Sequence, residues 1–177
     1  NVAQIRVDQS DKELVEYAKI FNAPFTVFSR NISKSYRATC ARMGKPILLF
    51  EGGKSQVSDK AVAREGVFGV MRILHHFDML NEDFKIPERN REPVTISKST
   101  WVRAKYSGLL HLKVSYGDLI EKGGILATIT DPYGTFSHKV KSLNKGYIIN
   151  INEASLVYQG DAIFHISTDA TDATGGE

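Results

Sequence analysis

The chain has 177 residues, 42% of them apolar, 24% charged and 10% aromatic, which is the make-up of a globular protein with room for one ordinary domain or two small ones. No apolar run approaches the roughly 20 residues that cross a bilayer, and residues 1–8 carry neither the basic nor the apolar stretch of a secretion signal, so no membrane partner is expected. The net charge of +3, from 23 basic and 20 acidic side chains, is too balanced for a nucleic-acid footprint, and the single cysteine, Cys40, allows no internal disulfide, so the cytoplasm is the expected compartment.

After a short N-terminal segment, Asp11 is placed to cap a helix reaching about Asn22, with Leu14, Val15, Ala18 and Phe21 on one face and Pro24 ending it. Residues 24–29 read as a strand, and Ser33 to Met43 as a helix stopped by Gly44. Residues 46–50 (PILLF) form a continuous apolar strand of the kind buried on both faces. Ser58 then caps the longest helix, whose stripe is Val62, Gly66, Gly69, Val70, Ile73, Leu74 and Phe77. This alternation predicts α/β layering. Two strands make too small a sheet, so residues 1–80 are expected to be the C-terminal part of a larger α/β domain.

The chemistry concentrates where PILLF ends, at Glu51, followed by Gly52 and Gly53. In open α/β sheets the carboxyl ends of strands form the ligand crevice, a position that suits a general base, and the two glycines are expected to allow close approach of a substrate. Other candidates carry less. Cys40 lies beside Arg37 and Arg42 with no histidine near in sequence, which is the pattern of an inert thiol. His75, His76, His111, His138 and His165 include no H-x-x-E, E-x-x-H or H-x-x-x-H spacing, and His75 with Asp78 reads as a solvated pair.

Residues 81–92, nearly all polar or proline, read as a linker, and residues 169–177 as a disordered tail without a large apolar side chain. Between them, residues 93–168 predict an all-β module with an internal repeat. Gly108-Leu109-Leu110 and Leu119 to Ile129 recur as Gly146-Tyr147-Ile148 and Leu156 to Ile166, with Gly123 aligned to Gly160. Two copies of one strand-turn-strand unit imply a quasi-two-fold β barrel-sandwich, a pattern that resembles the biotinyl/lipoyl-type domain. The tip between the halves, residues 130–135 (TDPYGT), holds no lysine, so a swinging prosthetic group has no attachment point. Trp101, Tyr106, Tyr116 and Tyr133 are the aromatic residues that a ligand mouth would use, although packing is their commoner role.

Tyr36-Arg37-Ala38, the run from Ala41 to Gly53 (ARMGKPILLFEGG), Val62, the run from Gly66 to Leu74 (GVFGVMRIL) and Met79-Leu80 resemble the succinylglutamate desuccinylase/aspartoacylase family. These are zinc-dependent amidohydrolases related in fold to the zinc carboxypeptidases, and Asp78 stands where their pattern prefers glycine. The resemblance implies an α/β plus all-β protein, with a partial zinc-carboxypeptidase-like α/β layer followed by the β barrel-sandwich hybrid. It implies that Glu51 is the general base and acid, taking a proton from zinc-bound water and passing it to the leaving amine. It implies that Arg37 pairs with a substrate carboxylate. The expected substrate is a small acylated amino acid or related amine, and the expected cofactor is zinc. The family's zinc ligands, a His and a Glu in H-x-x-E and a later His, are expected N-terminal to this chain, in a missing half of the catalytic domain. The alternative is a non-catalytic binding or adaptor module built on the β region.

Overall fold

A computed structural model describes residues 1–81, 83–89 and 91–169; the predicted tail beyond Asp169, and Glu82 and Asn90 of the linker, lie outside the described residues. The described chain divides after Ser97 into two compact units.

The first unit runs β1 (Gln4–Val7), α1 (Lys12–Phe21), β2 (Phe25–Phe28), α2 (Tyr36–Arg42), β3 (Leu49–Glu51), α3 (Lys60–His76) and β4 (Val94–Ile96). Its sheet has the order β3-β1-β2-β4, with β1, β2 and β4 parallel and β3 antiparallel to β1. Sequence reasoning missed β1, although Gln4-Ile5-Arg6-Val7 alternates polar and apolar residues with the period of a strand. The β module was expected to begin at residue 93, but Val94–Ile96 pairs with Phe25–Val27 in this sheet, so the first unit takes part of the expected second one. With β1 and β4 the sheet has four strands rather than two.

The strand predicted over residues 46–50 is also revised. Only Leu49–Glu51 is strand, its residues are half-buried, and it lies at one end of the sheet. A continuous apolar run therefore does not mark a central strand here; Ile5, Leu48 and Phe50 instead pack on the helices through a cluster with Leu14, Ala18, Phe21 and Ile73.

The helices follow their local chemistry. Asp11 caps α1 by accepting from the Leu14 N–H at 3.1 Å, and Asn22 ends the helix in the left-handed conformation. The cap of α3 is Asp59, one residue past the expected Ser58, and it accepts from the N–H groups of both Ala61 (3.0 Å) and Val62 (3.1 Å). Replacing Asp59 by alanine is expected to cost about 1 kcal/mol in chemical denaturation. Ser58→Ala should stay within about 0.5 kcal/mol. The α3 stripe is only partly inward: Gly69 is buried, while Val70 and Phe77 are 51% and 47% exposed. Gly69 is required because a Cβ there would lie 2.1 Å from the Phe21 ring.

The second unit consists of β5 (Ser99–Arg103), β6 (Gly108–Leu112), β7 (Leu119–Ile120), β8 (Ile125–Thr130), β9 (Ser137–Lys141), β10 (Gly146–Ile151), β11 (Leu156–Val157) and β12 (Ala162–Ser167). They form two four-stranded sheets, β5-β12-β10-β7 and β11-β6-β8-β9. Exchanging β5 with β9, β6 with β10, β7 with β11 and β8 with β12 converts one order into the other, so the sequence repeat is a topological two-fold. Each repeat places its first and third strands in one sheet and its second and fourth in the other. No closed barrel forms: β7 and β11 are two residues long and each pairs on one side only. The core holds Leu126, Ile129, Ile148, Ile163 and Phe164, all fully buried. The two glycines that open the repeats sit where strands touch. A Cβ on Gly108 would lie 2.4 Å from the Thr130 carbonyl oxygen, and one on Gly146 would lie 1.9 Å from that of Ser167.

Candidate functional site

In β1, Gln4 and Arg6 share one face, while Ile5 and Val7 turn to the other and join the helical core. Glu51 is the register partner of Gln4. The three polar side chains therefore meet on one face. Arg6 Nε donates to Glu51 Oε2 at 2.8 Å, and Gln4 Nε2 donates to the same oxygen at 3.2 Å. The ion pair is partly sheltered, with the Arg6 and Glu51 side chains 23% and 33% exposed. Gln4 is fully buried, and its Oε1 has no hydrogen-bond partner. Burial without a donor is uncommon for an amide oxygen and marks a place where one is missing.

This placement corrects one expectation. Because β3 runs against β1, its C-terminal end lies beside the N-terminal ends of the parallel strands, not among their carboxyl ends. At those carboxyl ends there is instead a polar cleft of about 760 Å³ lined by Asp8, Ser10, Ser29, Arg30, Asn31 and Ser97. There the Ser10 hydroxyl (2.8 Å) and N–H (3.1 Å) both donate to Asp8 and hold its carboxyl below the usual carboxylate range.

Gly52 and Gly53 also serve a different purpose from the one expected. A Cβ on Gly52 would lie 2.6 Å from Val62 Cγ1 and 3.0 Å from Ala3 Cα, so the close approach is between β3, α3 and the start of the chain. Gly53 takes φ +77° and exchanges backbone hydrogen bonds with Asn1.

Arg37 lies in the first turn of α2 and is 8% exposed. Its NH2 donates to the Ser29 carbonyl (3.2 Å), Ser29 Oγ (3.1 Å) and the Arg30 carbonyl (3.1 Å). The guanidinium thus fastens α2 to the end of β2. Burial pushes its pKa down and the Arg6 charge adds to this, while Asp8 and Glu51 pull the other way. Arg37 is therefore the electrostatic link between the Glu51 cluster and the Asp8 cleft. Sequence reasoning singled out Glu51 and Arg37 but not Gln4 or Arg6, whose only signal was the alternation of β1.

The remaining candidates do not converge. Cys40 is half-buried, and His75 and Asp78 are exposed. Among the described residues no three His, Cys, Asp or Glu side chains form a group that could hold a metal ion, so the zinc implied by the resemblance has no donor set there. In the second unit Trp101 stacks on His165 with ring centroids 4.6 Å apart, and Tyr106 packs edge-on against Phe136 and His138. The tip between β8 and β9 is tied by Asp131, which accepts from Thr135 Oγ1 and from the Phe136 N–H at 3.0 Å, leaving Tyr133 88% exposed. No described helix is long and apolar enough to cross a membrane.

No protein-family model matches the chain. It is 24% identical, over an alignment of 129 residues covering 70% of this chain and 37% of the relative, to the N-alpha-acetyl-L-2,4-diaminobutyric acid deacetylase of Halomonas elongata. Among solved structures, the product-bound ectoine utilization protein EutE (DoeB) from Ruegeria pomeroyi is 20% identical and superposes with a TM-score of 0.77 over 95% of this chain and 53% of that one. A succinylglutamate desuccinylase/aspartoacylase from Rhodobacter sphaeroides is 17% identical, with a TM-score of 0.78 over 97% of this chain and 54% of that one. The chain thus spans about half the length of these structures and 37% of the curated relative. At these identities the likeness is one of fold: both units of the chain have the mixed α/β and β architecture found in succinylglutamate desuccinylase/aspartoacylase structures.

Proposed function

We propose that this chain is the C-terminal portion of an amidohydrolase that removes an acyl group from an acylated amino acid or related amine. The observation that carries the reading is Glu51: the carboxylate singled out in the sequence is held by two donors, in a fold shared with a succinylglutamate desuccinylase/aspartoacylase structure and in a chain 24% identical to a deacetylase. In this reading Glu51 accepts the proton of the attacking water and returns it to the leaving amine. Arg37 Nε and NH1, which engage no described residue, pair with the substrate carboxylate, a planar match that lysine would not supply.

In this reading the zinc is held by residues N-terminal to this chain; among the described residues no three His, Cys, Asp or Glu side chains form a group that could hold it. The part proposed to carry those residues, an N-terminal half of the catalytic domain, also has a place to pack. The outer edge of β3 is unpaired among the described strands. Beside it run apolar hollows of about 410 and 490 Å³, which share Phe21, Phe50 and Val70 in their walls. An exposed apolar groove along an open sheet edge is a surface that proteins ordinarily cover.

The test is an assay of the longer polypeptide for release of free amine from N-acetyl and N-succinyl amino acids. Release from at least one of them is expected. A stable, metal-loaded protein that releases amine from none would overturn the reading and leave the binding-module alternative.

A further inference from the structure

Gln4 is the oddest side chain in the first unit. It is fully buried, yet only its amide nitrogen is used, and the carbonyl end is left without a donor. A methionine or leucine would fill a similar volume without that penalty. The hydrogen bond that Gln4 does make goes to Glu51 Oε2, the same oxygen that accepts from Arg6 Nε. Two donors on alternate residues of one strand, both on the face away from the helical core, thus converge on one oxygen atom. Among the described residues nothing reaches the other oxygen, Oε1.

We propose that Gln4 and Arg6 are positioning residues that clamp Glu51 through Oε2, so that Oε1 alone carries the proton during amide hydrolysis. The inference rests on the reading of Glu51 given above. A carboxylate on an end strand, three residues long and followed by two glycines, would otherwise sample several side-chain rotamers. The clamp limits it to one. The approach of the reacting water to Oε1 is then set by β1 through the two contacts to Oε2. Arg37 carries a like charge that acts against Arg6, and Arg6 is paired with Glu51 at 2.8 Å.

The experiment uses the polypeptide that carries this chain together with its N-terminal half. Gln4→Met, Arg6→Met, Arg6→Lys and Glu51→Gln are compared by steady-state kinetics and thermal melting. Gln4→Met is expected to lower kcat about tenfold and Arg6→Met about a hundredfold, with KM within about twofold of the parent, since misplacing a reacting group costs turnover rather than binding. Arg6→Lys should recover part of the loss by restoring a donor and a charge. Gln4→Met should melt at or above the parent temperature, because it removes the unpaired oxygen. A purely structural role predicts the opposite pairing, a lower melting temperature with kcat unchanged, and that result overturns the clamp. So does a rise in KM with kcat preserved in Arg6→Met, which would make Arg6 a substrate ligand. If Glu51→Gln itself retains full turnover, the reading of Glu51 fails and the clamp fails with it; loss of activity in that variant beside normal Gln4→Met and Arg6→Met kinetics defeats the clamp alone.

Discussion

Glu51→Gln is expected to reduce amine release by about 10²–10⁴-fold, the usual contribution of a positioned acid/base group. The size follows from what the substitution keeps. Glutamine preserves the length and one acceptor oxygen, so Arg6 Nε and Gln4 Nε2 retain a partner and the end of β3 has no reason to move. What disappears is the ability to take and return a proton. Stability should therefore change by no more than about 1 kcal/mol, the worth of a partly exposed ion pair. Circular dichroism and melting establish that the variant is folded, and discontinuous amine detection reads the rate. Turnover within tenfold of the parent would remove Glu51 from the chemistry, whatever its contacts.

The second large effect is one of stability and belongs to the β unit. Gly146→Ala should cost about 3 kcal/mol, the upper end of the usual overpacking penalty, and lower the melting temperature of that unit by about 15 °C. The reason is where the new methyl lands. It would lie 1.9 Å from the carbonyl oxygen of Ser167 and 2.8 Å from its hydroxyl, which also accepts the Tyr147 N–H at 2.8 Å. The nearer neighbour is backbone and cannot swing aside, so β10 and β12 must separate. Gly108→Ala should act similarly, because the repeat places it 2.4 Å from the carbonyl oxygen of Thr130 and φ there is +155°. Gly123→Ala is the control: φ is +84° with nothing within 4 Å of the new atom, so only the left-handed backbone cost of about 1–2 kcal/mol applies. Equal melting of the Gly146 and Gly123 variants would show that the strands do not approach as closely as described.

Local signals were enough wherever a residue acts on its own neighbours. Asp11 as a cap, the three helices, the punctuation at Pro24 and Gly44, and the doubled glycine pattern of the β unit all depend on interactions spanning a few residues or on a repeat that can be aligned by eye. The placing of strands across the chain was less legible. Val94–Ile96 looks by sequence like the opening of the β module, but it is the partner of Phe25–Val27 some 70 positions earlier. The PILLF run has the composition of a central strand, yet it lies at the end of the sheet because β1, only four residues long, occupies a central position. The quasi-two-fold was legible as a repeat, whereas the absence of closure was not, because it depends on which edges β7 and β11 leave unpaired.

The sequence by itself determined that a carboxylate stands at the end of an apolar strand before two glycines, that an arginine lies in the preceding helix, and that the second half repeats itself. These are statements about composition at fixed spacing. Only the tertiary structure decided what the carboxylate meets. Glu51 and Arg6 are 45 residues apart, and no local pattern couples them; they touch because β3 returns antiparallel to β1 with Glu51 opposite Gln4. A shift of one residue in that register would turn Glu51 toward Phe21 and Ile73 and leave a charge in the apolar core. Burial of Ile5, Val7 and Phe50 on one face is therefore what delivers Arg6, Gln4 and Glu51 to each other on the opposite face, and so converts a lone acidic residue in the sequence into a site.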